Sequence, residues 1–161
     1  AELDMQWVPV EGLTVNFGLA YLDTEVKEWD AVDQAASQWP VTVTRDASGI
    51  ELAMSPEWQA NGLAAYEWPI ANGLVMEVAG DFSYQDSTTG GVAPEDATES
   101  FTIFNARISI GSPDYKWRAQ LWGRNLTDEY YYPAAYTGGN GPYVRANGMP
   151  LTYGISVSYY F

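Results

Sequence analysis

Hydrophobic and polar residues alternate along most of this chain, and a period of two is typical of β-strands rather than of helices. In residues 13–21 the odd positions are Leu, Val, Phe, Leu and Tyr, whereas the even positions are Thr, Asn, Gly and Ala. Other stretches alternate in the same way. The alternation predicts seven strands, at residues 2–8, 13–21, 57–68, 74–84, 99–111, 116–125 and 149–161.

The connections between these predicted strands are alternately short and long. The short ones are turn-like, with Asn72-Gly73 as the strongest turn signal, and lie at residues 9–12, 69–73 and 112–115. The long ones lie at residues 23–53, 85–98 and 127–148. In an antiparallel meander this places every short turn at one end of the sheet and every long loop at the other. Outer-membrane barrels have this arrangement, with short periplasmic turns and long extracellular loops.

Each predicted strand has one apolar face and one polar face. The charged residues of the strands lie on the polar faces. In a soluble sandwich the polar face would meet water and the apolar face a core. In a membrane barrel the apolar face would meet lipid and the polar face the lumen. Alternation does not separate these two folds, but the Trp and Tyr residues near the strand ends favour the barrel, because they would form its aromatic girdles.

The composition narrows the possible functions. The 161 residues include no His and no Cys, so disulfides, thiolate nucleophiles, Ser-His-Asp triads and His- or Cys-ligated metal sites are excluded for this chain alone. The net charge of −14 argues against binding to nucleic acid. The loops carry most of this charge, with 7 acids and 2 bases in residues 23–51 and 4 acids in residues 86–99. The acids between Asp23 and Asp33 lack the glycine-centred spacing of a calcium loop, so we expect no metal site and no cofactor.

The main competing hypothesis is a soluble β-sandwich or jelly-roll domain that binds carbohydrate or acts as a glycosidase. Such an enzyme needs a pair of carboxylates, and Glu77 and Asp81 share one strand face. Four residues along a strand span roughly 13 Å at about 3.3 Å per residue. This separation exceeds the about 6.5–9.5 Å of inverting glycosidases, so the pair is a poor catalytic candidate. The odd number of strands argues against a small barrel that stands alone.

The C-terminal part of the chain carries a specific motif. The segment Leu121-Trp-Gly-Arg-Asn-Leu-Thr-Asp-Glu-Tyr130, followed by Gly148-Met-Pro-Leu-Thr-Tyr-Gly-Ile-Ser-Val-Ser-Tyr-Tyr-Phe161, closely resembles the C-terminal signature of TonB-dependent outer-membrane receptors. Leu151 stands where that family usually has Arg. The hairpin from Trp7 to Thr14 and the strand entry from Ser55 to Trp58 also resemble the family.

The resemblance implies an all-β fold, an antiparallel up-and-down meander of about seven strands that is the C-terminal portion of a large transmembrane β-barrel. Barrels of this family have about 22 strands around a plugged lumen. We therefore expect residues 1–161 to be a C-terminal segment of the receptor barrel, with the plug domain and the N-terminal strands absent. The implied function is active transport across the bacterial outer membrane, energised through TonB, and not catalysis. The implied nutrient is scarce and bulky, such as a ferric siderophore, cobalamin or an oligosaccharide.

The resemblance also implies partners for individual residues. The outer-membrane barrel assembly machinery would read the alternating C-terminus, at Tyr153, Ile155, Val157, Tyr159 and Phe161. The receptor's own plug domain would contact lumen-facing charges, which would lack partners in an isolated segment, at Glu77, Asp81, Arg107, Arg118 and Arg124. Membrane lipid would cover the apolar face, and TonB would act through the absent N-terminal region.

A small-molecule ligand is the last partner that the resemblance implies. Extracellular loops and the top of the plug bind the ligand in this family, and aromatic side chains suit catechols, sugars and other flat groups. The candidate contacts in the long loops are Trp29, Trp39, Tyr136 and Tyr143. Tyr130 to Tyr132 directly follow a strand, so interfacial anchoring is the better interpretation for them.

Overall fold

The computed structural model describes residues 1–34, 36–138 and 142–161, and almost all of its regular structure is β. The strands in chain order are β1 (Glu2–Trp7), β2 (Leu13–Tyr21), β3 (Asp30–Val32), β4 (Thr44–Asp46), β5 (Trp58–Pro69), β6 (Val75–Gln85), β7 (Thr88–Thr89), β8 (Ala97–Thr98), β9 (Phe101–Gly111), β10 (Trp117–Arg124), β11 (Ala134–Thr137), β12 (Tyr143–Ala146) and β13 (Thr152–Tyr159). Two short 3-10 turns lie at Ala71–Gly73 and Pro94–Asp96. Within the described ranges, no helix has the length and apolar character to cross a membrane.

The long strands form one seven-stranded sheet in the order β1-β2-β5-β6-β9-β10-β13. Neighbours in this order follow each other along the chain, and every neighbouring pair is antiparallel. The predicted up-and-down meander of seven strands is therefore confirmed. The observed β2 has the predicted bounds, whereas β13 begins three residues later than the alternation suggests.

The short turns join the strands at one end of the sheet. The turn before β2 contains Gly12, whose φ is +83°, and a Cβ there would collide with the carbonyl oxygen of Glu67. Only glycine fits this close approach without strain. In the turn before β6, Asn72 and Gly73 have φ values of 63° and 69°. This left-handed pair is the conformation that the Asn-Gly signal predicts.

The strand register makes the apolar face continuous across the sheet. One row runs from Met5 through Phe17, Gly62 and Phe82 to Phe104, each residue opposite the next on the neighbouring strand. Within the described ranges, the remaining sheets are two-stranded and lie in the loops, and none covers this face. Side chains along it are exposed or half-buried, with Ile155 at 76%. The single long sheet agrees with the predicted portion of a barrel, whereas a sandwich packs a second sheet on this face.

The long connections have structure that the sequence pattern missed. We name them loop A (residues 22–57), loop B (residues 86–100) and loop C (residues 125–151). Among the residues that the structure describes, each contains a short antiparallel hairpin, formed by β3 and β4 in loop A, β7 and β8 in loop B, and β11 and β12 in loop C. These strands are two to four residues long, so they are too short to give a visible alternation.

Candidate functional site

Charged residues meet on the polar face of the sheet, near its short turns. Arg107 Nε donates to Glu77 Oε1 at 3.0 Å, and Arg118 Nη2 lies 3.5 Å from Glu67 Oε2 and 3.7 Å from Glu77 Oε2. The hydroxyl of Tyr115, in the turn before β10, donates to Glu67 at 2.9 Å. We call these five residues the inner-wall cluster. They come from neighbouring strands and a turn, and their charges balance locally.

This pairing corrects one expectation for the lumen-facing residues. The resemblance predicts that Glu77, Arg107 and Arg118 lack partners in a segment without a plug, but both arginines pair with Glu77. The physical reason is the strand register, which places Glu67 opposite Glu77 and Arg118 opposite Gly111 on adjacent strands. Arginine side chains then reach the carboxylates across the strands. The sequence shows the polar face but not this register. The hydrogen bond to Glu67 also raises the pKa of Tyr115, because ionisation would place two negative charges side by side.

The other predicted lumen-facing residues lie further along the polar face. The side-chain amide of Asn105 donates to Asp81 Oδ2 at 2.7 Å. The guanidinium of Arg124 lies over the Trp122 ring, 5.4 Å from its centroid, a cation–π contact. These residues and Ser156 line a shallow recess of about 660 Å³ on the inner wall. Asp81 and Arg124 are not members of the inner-wall cluster, but Arg107 of that cluster also lines the recess, so the two adjoin.

The recognised Asn125–Tyr130 motif ties loop C to the closing strand. Asn125 is 2% exposed, and its side chain accepts from the Glu129 N–H and donates to the Glu129 and Met149 carbonyls, each at 2.9 Å. Asp128 Oδ1 accepts from the Leu151 N–H at 2.9 Å. Asn125 and Asp128 have φ values of 50° and 51°, a conformation that Asn and Asp adopt more readily than other non-glycine residues. The motif is therefore structural in this chain.

The long loops also contact one another. In loop A, Arg45 pairs with the buried Asp33 at 3.0 Å and donates to the Val92 carbonyl of loop B at 3.1 Å. In loop B, Asp96 is 3% exposed and accepts from the Thr137 hydroxyl of loop C at 2.6 Å. A cleft of about 350 Å³ lies where these loops meet. We call it the loop cleft. The described residues that line it are Trp29, Asp30, Ala31, Val32, Gln34, Gly90, Gly91, Val92, Ala93, Asp96 and Thr137.

The structure places the four predicted ligand contacts in different surroundings. Trp29 lines the loop cleft and is 52% exposed. Trp39 is 94% exposed and is not among the described lining residues. Tyr136 and Tyr143 lie on the hairpin of loop C, also outside that lining. Partial desolvation raises the pKa of Tyr143, and the nearby carboxylates of loops A and B raise it further. The loop cleft thus includes one of the four aromatic residues that the sequence suggested.

The predicted assembly signal lies on the last strand of the sheet. Tyr153, Ile155, Val157 and Tyr159 point to the apolar face, and all are at least 60% exposed. The rings of Tyr159 and Phe161 are in edge contact, with centroids 5.1 Å apart. On the opposite face of this strand, the Trp122 indole donates to Ser156 Oγ at 3.0 Å. These residues thus form the end of the continuous apolar face.

Comparisons with known proteins agree with this geometry. A family model described as TonB dependent receptor-like, beta-barrel, matches residues 1–126. No curated protein matches the chain. The ferric yersiniabactin uptake receptor FyuA from Yersinia pestis matches with a TM-score of 0.71 and 13% identity, over 97% of this chain and 22% of that chain. FpvA of P. aeruginosa, solved as a pyoverdine–iron complex, matches with a TM-score of 0.62 and 17% identity, over 98% of this chain and 19% of that chain.

These identities show a shared fold and no more. The chain spans about a fifth of the length of the two solved structures. Its seven-stranded antiparallel sheet resembles part of their receptor barrels.

Proposed function

This chain belongs to the TonB-dependent receptor β-barrel family, and from that premise we propose that it forms wall and extracellular loops of an outer-membrane transport receptor. The family is an outer-membrane one, and the structural neighbours are transport receptors rather than enzymes. The continuous apolar face supports the proposal most directly. A lipid bilayer suits an uncovered apolar face of this extent on a sheet whose opposite face is polar.

We propose that residues 1–161 are a C-terminal segment of that barrel, with the plug domain and the N-terminal strands outside the segment. The sheet has its two edges at β1 and β13, and unpaired edges are not stable in a bilayer. The remaining strands of the barrel would pair with both edges. In this arrangement the short turns are periplasmic and loops A, B and C are extracellular.

The proposed cargo is a scarce, bulky nutrient, taken up with energy supplied through TonB. The names of the neighbours favour a ferric siderophore, since one is a ferric yersiniabactin uptake receptor and the other was solved with a pyoverdine–iron complex. Cobalamin and oligosaccharides are the other nutrient classes, and the growth assay must distinguish them from ferric siderophores. The proposed ligand contacts are the loop aromatics, above all Trp29 in the loop cleft.

We also propose that the plug contacts the recess around Asp81 and Arg124 rather than Glu67, Glu77 and Arg118 of the inner-wall cluster. Glu67, Glu77 and Arg118 already bind within the wall, so a plug residue would have to displace an existing partner. The guanidinium of Arg124 lies over an aromatic ring and keeps hydrogen-bond donors for a carboxylate of the plug. Glu77 and Asp81 are engaged with Arg107 and Asn105, which supports a structural rather than a catalytic role.

A growth assay tests the transport proposal. The full-length receptor is expressed in a Gram-negative host that lacks its own siderophore receptors, and iron-limited cells are supplied with single ferric siderophores. We expect growth with one class of siderophore, and no growth when the host also lacks TonB. Cobalamin-limited and oligosaccharide-limited media are run in parallel. Growth that does not depend on TonB, or no uptake in any medium by a receptor present at the cell surface, would contradict the proposal.

A further inference from the structure

The loop cleft is a site assembled from separate parts of the chain. Loop A supplies Trp29, Asp30 and Val32, loop B supplies residues 90–93 and Asp96, and loop C supplies Thr137. Its volume of about 350 Å³ lies near the lower limit for small-molecule sites. A cleft of this size has room for one ring and its substituents, and not for a whole bulky nutrient.

Polar contacts between the loops hold the walls of the cleft in place. Arg45 joins Asp33 of its own loop to the Val92 carbonyl of loop B. Asp96 accepts from the Thr137 hydroxyl of loop C and from the Ala93 N–H of its own loop. A Cβ at Gly90 would collide with the carbonyl oxygen of Ala135, so the loops are in close backbone contact there. A preformed cleft of this kind loses little entropy when a ligand binds.

The chemistry of the lining favours a positive charge. Trp29 and Asp30 are both exposed at the cleft, so an indole and a carboxylate are available to a ligand. The other lining carboxylate, Asp96, is buried and already hydrogen-bonded. Among the described lining residues none is Lys or Arg. Indole faces attract cations, and the strongly acidic loops around the cleft repel anions and attract cations.

From this combination we infer that the loop cleft binds a cationic, ring-sized group of the transported ligand, with the ring or its charged substituent against Trp29 and the charge near Asp30. The inference rests on the proposed transport function and deepens it, because it names the charge of the group that the loops recognise. The proposed occupant is an organic cation. Comparing its binding with that of an anionic ring of the same size tests whether the cleft selects for charge.

The test measures binding of two small probes to the full-length receptor in detergent micelles by saturation-transfer NMR. The cationic probe is phenyltrimethylammonium, and the anionic probe with the same ring is benzenesulfonate. We expect the cation to bind and the anion to give no saturable transfer. Trp29→Ala should weaken binding of the cation by about 3-fold to 30-fold, the range of a cation–π contact. Asp30→Asn should also weaken it, and Trp29→Phe should weaken it less than Trp29→Ala.

Matched variants separate the cleft from the rest of the loops. Trp39→Ala removes an exposed indole of loop A, and Glu51→Gln removes an exposed carboxylate of loop A, both outside the described lining of the cleft. Both should leave the affinity for the cation unchanged. Equal binding of the two probes, or equal losses in Trp29→Ala and Trp39→Ala, would overturn the inference.

Failure of the cleft assignment can be distinguished from failure of the proposed transport function. A receptor that supports TonB-dependent growth but does not bind the cation contradicts only the assignment of the cleft. A receptor that binds the cation at Trp29 but supports no uptake retains the cleft as a cation site and contradicts transport.

Discussion

The substitution Asn125→Asp tests whether the Asn125–Tyr130 motif holds loop C to the closing strand. The side chain keeps its size, and Asp tolerates the left-handed backbone at this position. The oxygen that accepts from the Glu129 N–H is also kept. What changes is the amide group, which donates to the carbonyls of Glu129 and Met149, each at 2.9 Å. In the variant, an ionised carboxylate oxygen would face both carbonyl oxygens.

The expected cost follows from the two lost hydrogen bonds. Asn125 is 2% exposed, whereas Glu129 and Met149, whose carbonyls accept from it, are exposed residues. A hydrogen bond contributes about 0.5–1.5 kcal/mol net, so the two together give about 1–3 kcal/mol for local opening of loop C. Since 1.4 kcal/mol is a factor of ten, the opening equilibrium should rise by about 5-fold or more.

The assay is amide hydrogen exchange of the full-length receptor in detergent, read at Glu129 and Leu151. Both N–H groups are hydrogen-bonded by the motif, so their protection should fall together, while strands β5 and β6 keep theirs. Asn147→Ala is the matched control, because Asn147 is an exposed Asn of the same loop. The reasoning is refuted if Asn125→Asp leaves both protection factors at the level of the Asn147→Ala control.

Three further predictions concern the wall and its end. Arg107→Met should lower the midpoint of thermal unfolding of the receptor in detergent, because Glu77, with a side chain only 13% exposed, loses its closest charged partner. An unchanged unfolding midpoint would contradict a stabilising role for this pair. Deletion of Phe161 from the full-length receptor should lower its outer-membrane level in fractionated cells, and unchanged surface amounts would count against the assembly role. The hydrogen bond to Glu67 raises the pKa of Tyr115, so this bond stabilises the folded protein fully below the ordinary tyrosine pKa of about 10. The stabilisation is lost as pH rises through the higher pKa that Tyr115 has in the folded protein. Tyr115→Phe should remove that alkaline loss, and an identical pH profile in both proteins would contradict it.

The sequence predicts the sheet well because a strand with different surroundings on its two faces produces one clear signal, the alternation of apolar and polar residues. Side chains on a strand alternate between its faces, so a strand with lipid on one face and polar surroundings on the other shows an alternation that can be read without coordinates. The bounds of β2 agree at both ends with the stretch 13–21. The short turns are equally local, since Asn72-Gly73 adopts the left-handed conformation that its residue types favour.

The pairing of the inner-wall charges is not visible in the sequence because it depends on register. Glu67 and Arg118 are 51 residues apart, and they meet only once β5, β6, β9 and β10 are aligned. The pattern identifies which face each residue occupies, but a shift of two residues in one strand would keep the faces and change the partners.

The loop cleft was missed for a related reason. Arg45 and Val92 are 47 residues apart, and Asp96 and Thr137 are 41 residues apart. No periodic pattern marks such contacts, and the hairpins that support them are too short to alternate. A usable signal was the Gly90-Gly91 pair in a loop with few apolar residues, because adjacent glycines often mark a close approach of two backbones.

The most direct test of the account asks whether the apolar face of the sheet meets lipid. The chain has no cysteine, so a single introduced cysteine is the only one in this segment and can carry a fluorescent label. In full-length receptor reconstituted into vesicles, Leu121→Cys and Ile155→Cys place the label on the apolar face, and Gln120→Cys and Ser156→Cys place it on the polar face. Doxyl-labelled lipids should quench the label at positions 121 and 155 and leave it bright at positions 120 and 156. Equal quenching at neighbouring positions, or none at positions 121 and 155, would contradict a membrane-spanning wall.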